Sequence, residues 1–351
     1  ALKSNQTGDR NIAIGRGTLF SNTVDYNVAV GYSAMYANTD GTNNTAYGYN
    51  AVYANTTGDR NIGIGYAALD NADAENDNLA IGYDALGGSI AGGEYNVAIG
   101  NYSLDALTSG DKNTGVGYNA LTGVTSGSWN TAVGHEAGKA MTTGADNTAF
   151  GLSAGAAITT GSRNIALGGV ALDNADTEND NLAIGYAALG GAIAGGEYNV
   201  AIGNNSLDAV TSGDNNIALG YTAMSGITTG YDNIAIGSGA LDADLTASGN
   251  IAIGRDALGG ASSSGVNSNT AIGNYTLDAV TSGSNNSAVG REGLTALTSG
   301  SYNVAMGNYI ATSLTTGYGN TMIGYNAAYS TTTGYQNTLI GQYALASANS
   351  G

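Results

Sequence analysis

The chain has 351 residues, of which 57 are Gly and none is Pro or Cys. Its 27 acidic and 9 basic residues give a net charge of −18, which opposes binding to nucleic acid or to anionic membranes. Without Cys there are no disulfides or thiolate metal sites, and a hydrophobic content of 42% does not fit a disordered chain. We therefore expect no nucleic-acid partner and no membrane insertion.

A five-residue motif, Asn-x-Ala-apolar-Gly, recurs along the whole chain. Most steps between its twenty starts are 17 residues, with one of 16, two of 18 and one of 19, and the starts are Asn11, Asn27, Asn44, Asn61, Asn78, Asn96, Asn113, Asn130, Asn147, Asn164, Asn181, Asn199, Asn216, Asn233, Asn250, Asn269, Asn286, Asn303, Asn320 and Asn337. A period this short cannot hold a helical hairpin, so each repeat is predicted to be one coil of a solenoid.

The predicted fold class is all-β, a parallel β-solenoid or β-roll of about twenty 17-residue coils. Residues 1–351 are expected to form a single repeat array, a segment of a longer fibre protein. The extra residues of the longer steps are predicted to form small outward loops near residues 87–93, 190–196 and 259–265, without disturbing the stack.

Each coil is numbered from its Asn, so that the motif fills positions 1 to 5. Position 4 is apolar and position 5 is Gly in every coil, and position 9 is Leu, Met or Val in sixteen coils. The alternation predicts a strand whose positions 2 and 4 face inward, leaving positions 3 and 5 as a smooth outer stripe suited to self-association. Thr or Ser followed by Gly at positions 13 to 15 predicts a tight corner, which stacked Asn amides would close.

Tyr fills position 6 in four consecutive coils, at Tyr32, Tyr49, Tyr66 and Tyr83. Exposed aromatic rows can stack on sugar rings, which makes these residues a candidate ligand surface. A ladder of identical rings can equally stabilise a solenoid by stacking on itself, and this structural interpretation is favoured.

Two acidic corners follow, each with four carboxylates within eight residues: Asp70, Asp73, Glu75 and Asp77, and then Asp173, Asp176, Glu178 and Asp180. Ca²⁺ takes oxygen ligands from loops of this kind, so both corners are candidate calcium sites. The alternative is a solvated turn, partly neutralised by Arg60 and Arg163 one coil earlier. No other cofactor is expected.

Catalytic residues are not predicted anywhere in the chain. A single His135 and the absence of Cys leave no pairing of nucleophile and base, and His135 takes a surface position that Tyr fills in other coils. The Gly63-Ile-Gly65 sequence imitates the start of a dinucleotide-binding loop, but no helix follows it. The chain is therefore not expected to be an enzyme.

The strings Asn130 to Gly134, Asn78 to Gly82 and Asn96 to Gly100 resemble the head repeats of trimeric autotransporter adhesins. Similar repeats occur in tail-fibre proteins of bacteriophages and other viruses. This resemblance implies a left-handed β-roll, three parallel chains side by side, and display on the outside of a cell or virion. The repeat of this chain is longer than that of the adhesin heads.

Together, these patterns predict an extracellular structural or adhesive fibre rod, most simply a parallel homotrimer, which meets a surface glycan or receptor. One alternative is a glycan- or ice-binding solenoid surface, built on the Tyr residues or on Thr pairs such as Thr142 and Thr143. Another is an extracellular filament subunit that polymerises end to end.

Overall fold

The computed structural model describes residues 1–5, 7–243, 246–260 and 265–345. The chain divides into two compact units, Ala1–Asn179 and Asp180–Gly351. The described residues form twenty strands of three residues each, joined by turns, and contain no helix. The predicted all-β parallel solenoid is confirmed.

In the first unit, each strand pairs in parallel with the strand one coil further along the chain, and position 3 always faces position 3, as in Ala13 opposite Ala29. Its strands are β1 Ile12–Ile14, β2 Val28–Val30, β3 Thr45–Tyr47, β4 Ile62–Ile64, β5 Leu79–Ile81, β6 Val97–Ile99, β7 Thr114–Val116, β8 Thr131–Val133, β9 Thr148–Phe150 and β10 Ile165–Leu167.

The second unit repeats this arrangement with the same register, as in Ala201 opposite Ala218. Its strands are β11 Leu182–Ile184, β12 Val200–Ile202, β13 Ile217–Leu219, β14 Ile234–Ile236, β15 Ile251–Ile253, β16 Thr270–Ile272, β17 Ser287–Val289, β18 Val304–Met306, β19 Thr321–Ile323 and β20 Thr338–Ile340.

Each strand ends at the Gly of position 5, because the backbone there takes a conformation that side chains disfavour. The φ angle of this Gly lies between 127° and 145° in all twenty coils. A Cβ atom on Gly48 would also collide with the carbonyl oxygen of Gly65 in the next coil. Gly at this position therefore both turns the chain and lets successive coils approach.

The turns after each strand place non-glycine residues in the left-handed region. In one coil these are Asn119, Leu121 and Trp129, at positions 7, 9 and 17, with φ angles of 54°, 53° and 64°. Each such residue costs of order 1–3 kcal/mol unless its surroundings hold it in place. The coil conformation therefore depends on contacts with its neighbours.

The core of each coil is built from small side chains and one or two large ones. Position 3, usually Ala, is buried in all but the first and last coils. Wherever position 9 of the first nineteen coils is Leu, Met or Val, that side chain is buried, as in Leu121 and Met224. Position 12 adds a further row of buried apolar side chains, which comprises Leu107, Val124, Met141, Ile158, Val210, Ile227, Val280, Leu297 and Leu314. The predicted burial of position 9 is confirmed.

The predicted orientation of the strands is wrong. Positions 2 and 4 point outward in every coil, none of their side chains is buried, and the Ala of position 3 points inward. Beneath most strands the interior takes only a small side chain: position 3 is Ala or Gly in every coil except those of Met322 and Leu339, and a Cβ on Gly63 would already meet Cγ2 of Val52 at 2.6 Å. Leu at position 9 and the apolar residue at position 12 fill the remaining space.

The Asn column of position 1 forms a ladder of buried amides, as predicted. In a representative coil, Asn113 donates its backbone N–H to Oδ1 of Asn96 at 2.9 Å, and its Nδ2 donates to the carbonyl oxygen of Gly127 at 2.8 Å. The sequence analysis missed a second ladder at position 12, in which Asn55 donates to Asn38 and Asn38 donates to Asn22, at 2.8 and 2.7 Å. Both ladders provide hydrogen-bond partners for buried amide and backbone groups that would otherwise have none.

The two 18-residue steps leave the strand register intact, as predicted. In the first, Ile90 is buried at the corner, while Gly92 has no atom within 4 Å of where its Cβ would lie. In the second, Ile193 is buried in the same way. Within the 19-residue step, residues 261–264 lie outside the described residues, so the predicted loop there stays a prediction.

Candidate interaction surfaces

The outward side chains at positions 2 and 4 form what we call the strand face. Large apolar residues stand on it in most coils, and several are well exposed, for example Ile217 at 41%, Leu219 at 42% and Phe150 at 58%. Ten coils of a three-residue strand give a footprint of about 500 Å² in each unit. This is the size of the largest apolar patch on a typical soluble monomer, about 300–600 Å², and patches of that size are often functional.

Charge is absent from this surface. No Asp, Glu, Lys, Arg or His occurs at positions 2 to 4 of any coil, although the chain carries 27 acidic and 9 basic residues. Interface cores between proteins show the same depletion of charged residues. The strand face therefore has the chemistry of a contact surface, and the negative charge lies on the other sides of each coil.

The four tyrosines at position 6 lie together, and we call them the tyrosine column. The ring centroids of Tyr32 and Tyr49, of Tyr49 and Tyr66, and of Tyr66 and Tyr83 are 5.0, 5.1 and 5.0 Å apart, with interplanar angles of 4° to 7°. The rings are 42–48% exposed. Since each ring covers the face of the next, edges are what the column presents to solvent, and its use as a ligand surface stays a prediction.

The carboxylates of the first acidic corner are held by different partners. Glu75 is only 6% exposed; its Oε2 accepts from the backbone N–H groups of Asp73 and Ala74 at 2.8 and 3.1 Å, and its Oε1 accepts from Gly92 N–H at 2.9 Å. The Asp73 carboxylate accepts from the Thr56 hydroxyl of the preceding coil. Glu75 thus fixes the corner and ties it to the next coil.

The remaining carboxylate at the end of this corner, Asp77, forms the predicted ion pair. Arg60 donates from Nε and Nη2 to its two oxygens at 2.6 and 2.8 Å, and this pairing lowers the pKa of Asp77. Arg60 is exposed and Asp77 is partly exposed, so the pair contributes about 0–1 kcal/mol. In the same column, the Lys112 ammonium lies 4.0 Å from the ring centroid of Trp129.

The second acidic corner repeats the first where the structure describes its contacts. Oε2 of Glu178, which is buried, accepts from the backbone N–H groups of Asp176 and Thr177 at 2.8 and 3.0 Å. The hydroxyl of Thr159 donates to the Asp176 carboxylate. Asp173 accepts from Nδ2 of Asn174 at 3.3 Å, and Asp180 lies in the second unit. Calcium binding at the two corners stays a prediction.

Asp70 belongs to a different group of acids, on the side of the coil where position 10 lies. Burial raises the pKa of Asp70 to about 6, and the negative charges of Asp84 and Asp105 add to the shift. In the second unit, burial raises the pKa of Asp242, with Asp256 and Asp278 as its acidic neighbours. Of these six acids, the sequence analysis named only Asp70, as part of the first corner. The recurrence of Asp at positions 7 and 10 of neighbouring coils could have indicated the rest.

The ring of His135 stacks on that of Tyr118, with centroids 5.2 Å apart. Among the described residues, no group of three or more His, Cys, Asp or Glu side chains could hold a metal ion. In the same part of the chain, no helix could cross a membrane.

Comparison with known proteins adds no relative. No protein-family model matches the chain, and no curated protein is significantly similar to it.

Proposed function

We propose that the chain is a structural shaft or head segment of an extracellular fibre, in which copies associate side by side through the strand face. The observation that carries this proposal is the uncharged row of outward-facing side chains at positions 2 and 4, with an apolar residue at position 4 of every coil. The resemblance of the repeat to adhesin heads and tail fibres supports a parallel trimer, display outside a cell or virion, and adhesion as the purpose.

The expected partner is a second copy of the chain, because both surfaces must be apolar and uncharged for such a contact to form. A standard protein interface buries about 800 Å² on each partner. The strand face of each unit offers a footprint of about 500 Å² towards such an area. A chain with a net charge of −18 can associate in this way because its charges lie away from the contact.

The interface differs from the Ala and Gly stripe expected from the sequence. Ala201, Ala218 and Ala235 are fully buried inside their own coils. A charged residue at these positions would therefore unfold the coil, and only substitutions at positions 2 and 4 can test association without disturbing the core.

The double variant Ile217→Asp and Leu219→Asp tests the proposal. We expect sedimentation equilibrium of the unaltered chain to give about three times the chain mass, since the resemblance implies a trimer, and the variant to shift towards the monomer because a buried unpaired charge is strongly unfavourable. Thr229→Asp, at an exposed corner of the same coil, is the matched control and should keep the oligomer.

A monomeric mass for the unaltered, folded chain at micromolar concentration would refute side-by-side association. An oligomer that survives the double variant, with circular dichroism unchanged, would place the contact on another face.

A further inference from the structure

The tyrosine column places reactive phenols beside one another at a regular spacing. Neighbouring ring centroids are 5.0 to 5.1 Å apart along Tyr32, Tyr49, Tyr66 and Tyr83, and every ring is partly exposed to solvent. Stacking alone would require neither hydroxyl groups nor exposure. The column therefore also has the two properties that oxidative coupling of tyrosine requires, namely access for an oxidant and a second phenol within reach.

We propose that the tyrosine column is an oxidative cross-linking site, at which a one-electron oxidant of the peroxidase class joins tyrosines of successive coils as dityrosine. This inference is independent of the proposed function, because it concerns contacts within one chain. The product would bind adjacent coils covalently in a molecule that contains no Cys and hence no disulfide.

The chemistry balances with hydrogen peroxide as the terminal oxidant. Each of two phenols loses one electron and one proton to the oxidised peroxidase, and the resulting phenoxyl radicals form a carbon–carbon bond between their ortho carbons. The hydrogen atom on each of these carbons then moves to the phenolic oxygen, which restores both aromatic rings. One hydrogen peroxide takes up the two electrons and two protons and becomes two molecules of water.

Geometry favours coupling within the column over coupling between tyrosines that have no aromatic neighbour in the next coil. Coils are spaced about 4.8 Å apart, so a radical on one ring forms beside its partner and needs only ring rotation out of the stack. Tyr186 and Tyr221 occupy the same position in the second unit, but Asn204 fills the coil between them. They are more exposed, at 61% and 60%, so exposure alone would favour them, whereas proximity favours the column.

Trypsin provides a direct readout, because Arg60 separates the middle pair of the column. Cleavage leaves Tyr49 in peptide 17–60 and Tyr66 in peptide 61–112. After treatment of the folded full chain with a peroxidase and hydrogen peroxide, we expect a linked peptide whose mass is the sum of the two minus two hydrogen atoms. A mixture of normal and heavy-isotope-labelled chains identifies links within one chain, because these join peptides of the same label.

Two variants complete the test. Tyr66→Phe keeps an aromatic ring in the stack but cannot form a phenoxyl radical, and it should lose the linked peptide. Tyr53→Phe is the matched control, since Tyr53 contacts Tyr36 at 5.4 Å and the next coil has Asp70 at that position; it should keep the linked peptide. Circular dichroism of both variants should match that of the parent chain.

Three results would overturn the proposal. They are persistence of the linked peptide in Tyr66→Phe, linked peptides of mixed label only, and cross-linking of the Tyr186 and Tyr221 peptide to the same extent as the column.

Discussion

At the scale of single residues, the position-5 glycines allow successive coils to stack closely. Gly65 has a φ of +143°, and a Cβ there would collide with the carbonyl oxygen of Gly82. A side chain at this position is thus opposed both by the backbone conformation and by the lack of room. Gly92 allows the two effects to be measured separately, because it has a φ of +117° but open space where its Cβ would lie.

We expect Gly65→Ala to lower the free energy of unfolding by more than about 3 kcal/mol, since it adds a collision with backbone to the conformational cost. Gly92→Ala should cost about 1–3 kcal/mol from conformation alone. Urea denaturation of both variants measures the difference, and equal losses would show that close stacking does not contribute.

A second residue-scale prediction concerns the buried Glu75 carboxylate. Glu75→Gln replaces one acceptor oxygen by an N–H₂ group that faces backbone N–H groups, so we expect a loss of about 2–3 kcal/mol in the free energy of unfolding. The exposed Asp40→Asn is the matched neutralisation and should change stability by less than about 0.5 kcal/mol. Equal stability of Glu75→Gln and the parent in thermal denaturation would contradict the role of Glu75 in holding the corner.

At the scale of the coil, the sequence correctly predicted where the strands lie but not which of their side chains point inward. The recurring Asn and Gly residues located all twenty strands. Each strand pairs with the strand of the next coil, so the same residue types are needed at the same positions in every coil. The usual rule that large apolar side chains point inward failed at Ile217 and Leu219. In so narrow a coil, a methyl group fills the space beneath the strand, and position 9 supplies the bulk of the core.

The candidate sites were predicted less completely than the fold. Their closeness in sequence placed Glu75 and Asp70 in one predicted site. In the structure Glu75 lies in the corner, whereas Asp70 lies on another side of the coil, near Asp84 and Asp105. Local sequence could not show this, because it depends on which coil lies next to which. The stacking of the tyrosine column, by contrast, followed from the repeat alone.

The acidic group around Asp70 makes the stability of the folded chain depend on pH, and the direction follows from the pKa shift. The pKa of Asp70 rises from 3.8 to about 6 on folding, because of burial first and then because of Asp84 and Asp105. Between pH 4 and 6 the folded chain retains a proton that the unfolded chain has released, so Asp70 lowers stability as the pH rises through this window, and its full cost remains above pH 6.

Asp70→Asn should therefore raise the free energy of unfolding at pH 7 by about 1 kcal/mol, a value reduced for the screening of a half-exposed group, and change little at pH 4. Asp208→Asn is the matched control, since burial alone raises the pKa of Asp208, and its gain should be smaller. Thermal denaturation at the two pH values checks this, and a variant less stable than the parent at pH 7 would contradict it.

At the scale of the whole molecule, the stability of each coil depends on its contacts with adjacent coils. Every coil holds residues such as Asn119, Leu121 and Trp129 in the left-handed region, at a cost of several kcal/mol per coil. The strand pairing, many hydrogen bonds of the turns and the bonds from each Asn backbone N–H to the preceding Asn Oδ1 offset this cost, and all of these run between adjacent coils. Folding of such a solenoid is accordingly a matter of extending an existing stack.

The Asn ladder gives each unit a direction. In the first unit, Oδ1 of each Asn from Asn11 to Asn147 accepts the backbone N–H of the next Asn along the chain, so every amide carbonyl of the column points towards the C-terminal side. Parallel sheets have little net dipole of their own, and hydrogen bonds in a chain polarise one another. The aligned amides thus form a small electrical axis, positive towards Asn11 and negative towards Asn164, and an approaching ion or a further coil would meet opposite potentials at the two ends.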